Sequence, residues 1–314
     1  MSHIATITLN PALDIAVAAP QVLPTIKIRC GPPTVQAGGG GINVARVAAR
    51  FGATTSPIVL AGGASGGRIL SLMHEEGLSP IEIAISGETR ESLTVTEGSS
   101  HEQFRFVLPG PTITADEAAA TLAAVRAMDP CPSVVVVSGS HPAGLEASFF
   151  ADLVDTVRGE GARLIVDGPA PVLQATHGAY LIKPNERELG DLCGRSVHSQ
   201  EAAVAAARDV IGMGIAHNVL VSMGEAGAFL VTEASAWHYK VPPVELVSAV
   251  GAGDSMVGAL ATALASGVAI EDAVTRGAAA GTAAILTPGT DLCTPEDTER
   301  FLPMVTRAEV ERVI

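Results

Sequence analysis

Four short stretches of this 314-residue chain combine residue types and spacings that can do chemistry. In Val250-Gly251-Ala252-Gly253-Asp254-Ser255-Met256-Val257-Gly258-Ala259, glycines precede an acid that opens an alanine-rich stretch. Glycines let backbone N–H groups approach a ligand, and a helix N-terminus adds partial positive charge. Gly251, Ala252 and Gly253 therefore suit an anion. Asp254 reads either as an N-cap or as a base that takes a proton from a hydroxyl beside that anion. Met256 stands where the third glycine of a dinucleotide fingerprint belongs, which excludes that reading. The second stretch, Gly38-Gly39-Gly40-Gly41-Ile42-Asn43-Val44-Ala45-Arg46, again runs glycines into a helical pattern. Asn43 is there either a helix-start residue or a donor to a polar ligand. No G-x-x-x-x-G-K-[ST] loop occurs.

In the third stretch, Leu181 to Leu189, a strand delivers Lys183 and Pro184 starts a helix. Asn185 and Glu188 are three apart and share a face. They suit a Mg²⁺ held through water, or a plain solvated helix start. The fourth is a set of charges. Lys27 and Arg29 alternate with Ile26 and Ile28, which puts both on one side of an expected strand. Arg90 and Arg105 belong to a second strand-like segment, and Asp14 follows Asn10-Pro11-Ala12-Leu13. Converging, these cations would hold a phosphate; dispersed, they are surface charge. Only Lys27, Lys183 and Lys240 are lysines, so two of them inside such stretches carries information. Ser138-Gly139-Ser140 and Ser222-Met223-Gly224-Glu225-Ala226-Gly227 each follow a candidate strand, where ligands of α/β sheets bind. No G-x-S-x-G elbow surrounds Ser140, which argues against a serine hydrolase.

The elements that position these residues alternate. Apolar runs predict strands at Ala5–Leu9, Thr55–Ala61, Ser133–Ser138, Arg163–Asp167, Tyr180–Lys183 and Asn218–Ser222. Helical patterns fall at Ile42–Phe51, Ala115–Met128, Leu145–Glu160 and Glu201–Gly212. This β-α-β rhythm predicts a mainly parallel sheet covered by helices. Ile26–Val35 and Ser92–Leu108 break the rhythm and predict antiparallel strands of a small separate sheet, a lid or an interface. Gly98-Ser99-Ser100 supplies a turn. The chain is 47% hydrophobic and 17% charged, which fits a large packed core rather than disorder. A net charge of −14 argues against general nucleic-acid binding. The four cysteines form no C-x-x-C pair and the eight histidines show no metal-ligand spacing. No apolar run reaches the roughly 18 residues of a membrane span. Met1-Ser2-His3-Ile4 lacks a basic leader. A cytoplasmic protein with reduced thiols is expected.

Taken together and in this order, the stretches resemble the PfkB (ribokinase-like) carbohydrate kinases. Gly38–Arg46 is similar to the family's first signature, Val250–Ala259 to its second, and Asn185 with Glu188 to its N-x-x-E element. Within the family the likeness is greatest to the minor (type 2) bacterial 6-phosphofructokinases. It is carried by Thr8–Asp14, Lys27–Cys30, Ala61–Gly66, Thr89–Leu93, Gln103–Gly110, Ser138–Ser140, and Gly289-Thr290 with Cys293. The resemblance covers nearly the whole chain. It implies a single ribokinase-like three-layer α/β/α domain over 1–314, with lid strands inserted from about 14–36 and 90–109. It implies ATP-dependent phosphorylation of fructose 6-phosphate at O1, with Asp254 as base and Gly251, Ala252 and Gly253 as the anion hole. Alternatives are a fructose 1-phosphate or tagatose 6-phosphate kinase, and a non-catalytic sugar-phosphate sensor.

Asp14, Gly38, Gly39 and Asn43 would hold the sugar, and Lys27, Arg90 and Ser140 its phosphate, with Arg29 and Arg105 as further candidates. Lys183, Asn185, Ser222, Gly224, Gly227 and Thr287 would line the ATP site, and Glu188 would organise Mg²⁺ through water. Ser248, Val250, Ala284, Gly289 and Asp291 match positions that hold K⁺ in relatives. A homodimer through the lid sheet is expected, with no nucleic-acid or membrane partner. The chain departs from the family at His141, at Asp167-Gly168-Pro169-Ala170 and at Thr287.

Overall fold

The computed structural model describes residues 2–100, 102–287 and 291–310. The six expected strands form and lie in one sheet, and the four expected helices form, all within two residues of their expected ends. From one edge the sheet runs Thr306–Glu309, Ala236–Lys240, Ala228–Thr232, Ala216–Ser222, Ala179–Ile182, Arg163–Asp167, Val134–Ser138, His3–Thr8, Thr54–Ala61 and Ile81–Ala84. Pairing is parallel from Ala216–Ser222 to Ile81–Ala84 and antiparallel across the other three strands.

Helices cover both faces because the strands are apolar on both faces. Ala5, Ile7, Val135, Val137, Leu164 and Val166 join a core with helices Ala115–Arg126, Ala147–Gly159 and Gln200–Gly212. Their neighbours Ile4, Val134, Val136 and Ile165 point the other way, to helices Gly40–Arg50, Ala252–Ala265 and Ile270–Ile285. Period-two alternation thus feeds two cores and makes three layers. Among the described residues no helix is long and apolar enough to cross a membrane.

The separate small sheet has the order Thr34–Gly38, Ala12–Ala19, Arg90–Glu97, Gln103–Val107. Two expectations need correction. The central pair, Ala12–Ala19 with Arg90–Glu97, is parallel, although both outer pairs are antiparallel. Ile26–Val35 is not a strand: pairing begins at Thr34, and the residues before it form an irregular loop. Pro24, Pro32 and Pro33 remove ladder donors there, and Ala12–Ala19 takes the central place instead. Lys27 and Arg29 therefore do not share a strand face; both are exposed on this loop.

Candidate active site at the strand crossover

The chain leaves His3–Thr8 for strands on one side and returns with Val134–Ser138 on the other. Such a switch point opens a crevice at the C-terminal ends of the strands, where α/β proteins bind ligands. Asn10 and Ser140 lie just past these two strands, and Asn10 Nδ2 donates to Ser140 Oγ at 3.1 Å. Arg90, at the foot of the lid, donates through Nε and Nη2 to the Asn10 carbonyl at 3.3 and 3.2 Å, and Nη2 lies 3.5 Å from Ser140 Oγ. Burial lowers the Arg90 pKa and Asp14 opposes the drop.

Asp14 sits two register positions along, opposite Ser92, on Ala12–Ala19. Burial raises its pKa; Arg90, the Ser92 hydrogen bond, Arg105 and Arg46 all draw it back. A Cβ on Gly38 would stand 2.0 Å from Asp14 Oδ2, so only glycine lets that carboxylate lie against the loop. Asp14, Asn43, Arg46, Glu76 and Arg105 line one cleft of about 970 Å³ between the lid and the main sheet's helices.

Helix Ala252–Ala265 begins after Gly251, whose φ of 78° lies in the left-handed region that favours glycine. Gly251 is thus the N-cap, and Asp254 stands in the first turn with its side chain turned elsewhere. Asp254 Oδ2 accepts from Asn43 Nδ2 at 2.8 Å, and Oδ1 accepts from Ser138 Oγ at 3.4 Å. Burial pushes the Asp254 pKa up to about 6; the Asn43 bond, Lys183 and Ser138 oppose this, and Asp167 adds to it. A carboxylate poised near neutrality suits proton abstraction.

Lys183 Nζ pairs with Asp167 Oδ1 at 3.1 Å; the Lys183 side chain is buried and that of Asp167 largely so. Burial alone would lower the Lys183 pKa, but Asp167 first, then Glu188 and Asp254, outweigh it, and the net shift is upward. A Cβ on Gly253 would lie 3.5 Å from Lys183 Nζ, so this ammonium borders the amides Gly251 to Gly253.

Asn185 and Glu188 prove to be a capping box rather than two residues on a helix face. Asn185 Oδ1 accepts from the Glu188 N–H and Glu188 Oε2 from the Asn185 N–H, both at 2.9 Å. The helix starts at Glu186, with Pro184 outside it, because Asn185 is the better cap. Burial raises the Glu188 pKa and its capping bond opposes this. The Ser222 N–H donates to the Pro184 carbonyl at 3.1 Å, which brings Ser222 beside Asn185. Gly224 opens the short turn Gly224–Ala226, closed by Met223 N–H to Gly227 O at 2.9 Å.

Thr287 Oγ1 lies 2.7 Å from both the Ala284 and the Asp291 carbonyl oxygens. Nearby, the Ser248 N–H donates to Ile285 O and the Val250 N–H to Ser248 Oγ. Gly289 lies outside the described residues. The structure thus gathers Asp14, Gly38, Gly39, Asn43, Arg90, Ser140 and Asp254 at the crevice, with Lys183 beside Gly253. Among the described residues no hydrogen bond or ion pair joins Lys27 or Arg29 to this cluster; Arg105 reaches it through Asp14. Asn10, Arg46 and Asp167 are participants that the sequence reading gave no role. The available signal for Asn10 and Asp167 was a polar residue at or just past the end of a buried strand.

Residues 8–297 match the pfkB family carbohydrate kinase model. The chain belongs to the pfkB family of carbohydrate kinases. Its relatives include the ATP-dependent 6-phosphofructokinase isozyme 2 of Mycobacterium tuberculosis, 39% identical over 96% of this chain and 89% of that protein. Phosphofructokinase-2 from Escherichia coli in complex with potassium superposes with a TM-score of 0.90 at 38% identity, covering 96% of this chain and 99% of that one. The same enzyme in complex with fructose-6-phosphate gives 0.88 at 37% identity over the same shares. The large, mainly parallel sheet, its helices and the small separate sheet are this family's ribokinase-like fold, and the chain is a sugar kinase.

Proposed function

We propose that this pfkB kinase transfers the γ-phosphoryl group of ATP to O1 of fructose 6-phosphate, giving fructose 1,6-bisphosphate and ADP. The carrying observation is the half-buried Asp254 carboxylate, held by Asn43 and Ser138 in the first turn of the helix that starts from Gly251–Gly253, with its pKa pushed up to about 6. Asp254 takes the O1 proton as O1 attacks the γ-phosphorus and the bond to ADP breaks. The amides and Lys183 stabilise charge on the transferring group, which is most of what phosphoryl transfer asks of a protein. Asp14 and Asn43 hold sugar hydroxyls, and Arg90, Ser140 and Asn10 hold the 6-phosphate at the far side of the crevice. The relatives' substrate, a phosphohexose, fits this split between a base and a remote cation.

Mg²⁺ would neutralise the nucleotide phosphates, with Glu188 and Asn185 holding it through water. No cluster of three or more His, Cys, Asp or Glu among the described residues offers direct ligation, and Mg²⁺ keeps several waters. A K⁺ site by Ala284, Thr287 and Asp291 is supported by two carbonyl oxygens sharing one hydroxyl proton. The proposed assembly is a homodimer through the lid. By register, Ile15, Val17, Leu93, Val95, Phe104 and Phe106 share one face of the small sheet. Phe106 is 52% exposed and Leu93 38%, and Ile26 on the adjoining loop is 58% exposed. Such a face needs a cover.

The test is Asp254→Asn, which should fold and bind ATP but lose about 10²–10⁴ in kcat. Near-normal turnover would remove Asp254 from the role of base. A panel of fructose 6-phosphate, tagatose 6-phosphate, fructose 1-phosphate and fructose decides the substrate. A clear win for any but the first would overturn that assignment and leave the kinase intact.

A further inference from the structure

Asn43 is held from two sides. Its Nδ2 donates to Asp254 Oδ2 at 2.8 Å, and its Oδ1 accepts from Arg46 Nη1 at 2.8 Å. Arg46, three residues along the same helix, is itself clamped. Its Nε and Nη2 donate to Glu76 Oε2 and Oε1 at 2.6 and 2.9 Å, a bidentate pair. Glu76 closes helix Gly63–Glu75 as its C-cap, so the clamp ties two helices together. Arg46 and Glu76 both line the sugar cleft beside Asp14 and Asn43. A carboxylate accepts only and a guanidinium donates only, so an amide between them has a single orientation that satisfies both.

We propose that Arg46, clamped by Glu76, is a positioning residue that fixes the Asn43 amide with its NH₂ toward Asp254. The inference rests on the reading of Asp254 as the base. Two consequences follow from the geometry. First, Oδ2 takes the short amide bond at 2.8 Å while Oδ1 takes only the long 3.4 Å contact from Ser138 Oγ, so Oδ1 is the freer oxygen and receives the hydroxyl proton. Second, the amide cannot turn its oxygen to Oδ2 and so stabilise a proton on that oxygen. An amide free to flip would accept from a proton on Oδ2 and keep Asp254 protonated. With Arg46 on Oδ1, that flip breaks the Arg46 bond and sets the amide NH₂ against the guanidinium, donor against donor. The relay therefore favours the ionised base in every turnover.

The experiment is the pH profile of kcat/KM for Arg46→Met and Glu76→Ala, with folding checked by circular dichroism. The acid limb should move up by about one pH unit in Arg46→Met and about half a unit in Glu76→Ala, with KM for ATP unchanged. Glu76→Ala separates positioning from charge, because removing an anion through space would lower the Asp254 pKa and move the limb down. In an Asn43→Ala background, Arg46→Met should shift the limb much less than in wild type. A downward or absent shift in folded Glu76→Ala, or an undiminished Arg46→Met shift without Asn43, overturns the proposal. Asp254→Asn measured alongside tests the base itself, since full activity there would sink that reading independently.

Discussion

Asp167→Asn tests the buried pair on which the charge balance of the site depends. The Lys183 and Asp167 side chains are 6% and 14% exposed, and their charged atoms are 3.1 Å apart. Removing one partner of a buried pair costs about 3–5 kcal/mol, because the other charge stays buried and uncompensated. Two features put this variant at the low end. Asn keeps an acceptor for Lys183 Nζ, and Glu188 and Asp254 still attract the ammonium. The expected loss is about 3 kcal/mol, read as a lower urea midpoint at pH 7 without ligands. Lys183→Met should cost a similar amount, and the double variant clearly less than the sum, because neither charge is then stranded.

The pH dependence has a definite sign. The Lys183 pKa is raised on folding, so its contribution is complete below the unfolded value of about 10.5 and is lost as pH climbs through the higher folded value. Wild type and Asp167→Asn should therefore converge in stability only at strongly alkaline pH. Asp167 also helps to raise the Asp254 pKa, so the same variant should move the acid limb of activity down. A loss below about 0.5 kcal/mol, or strict additivity in the double variant, would refute the account.

Two further outcomes are expected. Arg90→Ala should raise KM for fructose 6-phosphate by about 10–100-fold, with KM for ATP and the poor use of free fructose unchanged, since a charge-assisted bond to a phosphate is worth about 1.5–3 kcal/mol. Equal losses with fructose and its phosphate, in steady-state kinetics, would place Arg90 elsewhere. Phe106→Glu on the exposed apolar lid face should turn a dimer into a monomer in analytical ultracentrifugation at micromolar concentration. A monomeric wild type, or a variant that stays dimeric, would show that the lid face is not the interface.

Contiguous patterns were legible in the sequence because their physics is local. The parallel sheet follows from apolar runs such as Val134–Ser138, which can only be buried on both faces. The proposed anion site follows from glycines running into a helix start at Gly251 to Asp254. Local pattern failed where neighbours far along the chain decide. Alternation of Lys27 and Arg29 with isoleucines predicted a strand, yet prolines and the competing segment Ala12–Ala19 left a loop. Asn185 and Glu188 had the right spacing for a shared face, but the capping box uses them differently. The pairings that make chemistry lie furthest from any such rule: Asn10 meets Ser140 across 130 residues and Asn43 meets Asp254 across 211. The amino-acid order by itself determined the layers, the glycine turn that opens the helix at Ala252 and which residues were worth suspecting. Only the tertiary fold decided that desolvation pushes the Asp254 pKa up to about 6, that Lys183 is paired to Asp167, and that Asn43 faces Asp254. Burial and through-space charge depend on what the strand crossover brings together, and no window of contiguous sequence contains that information.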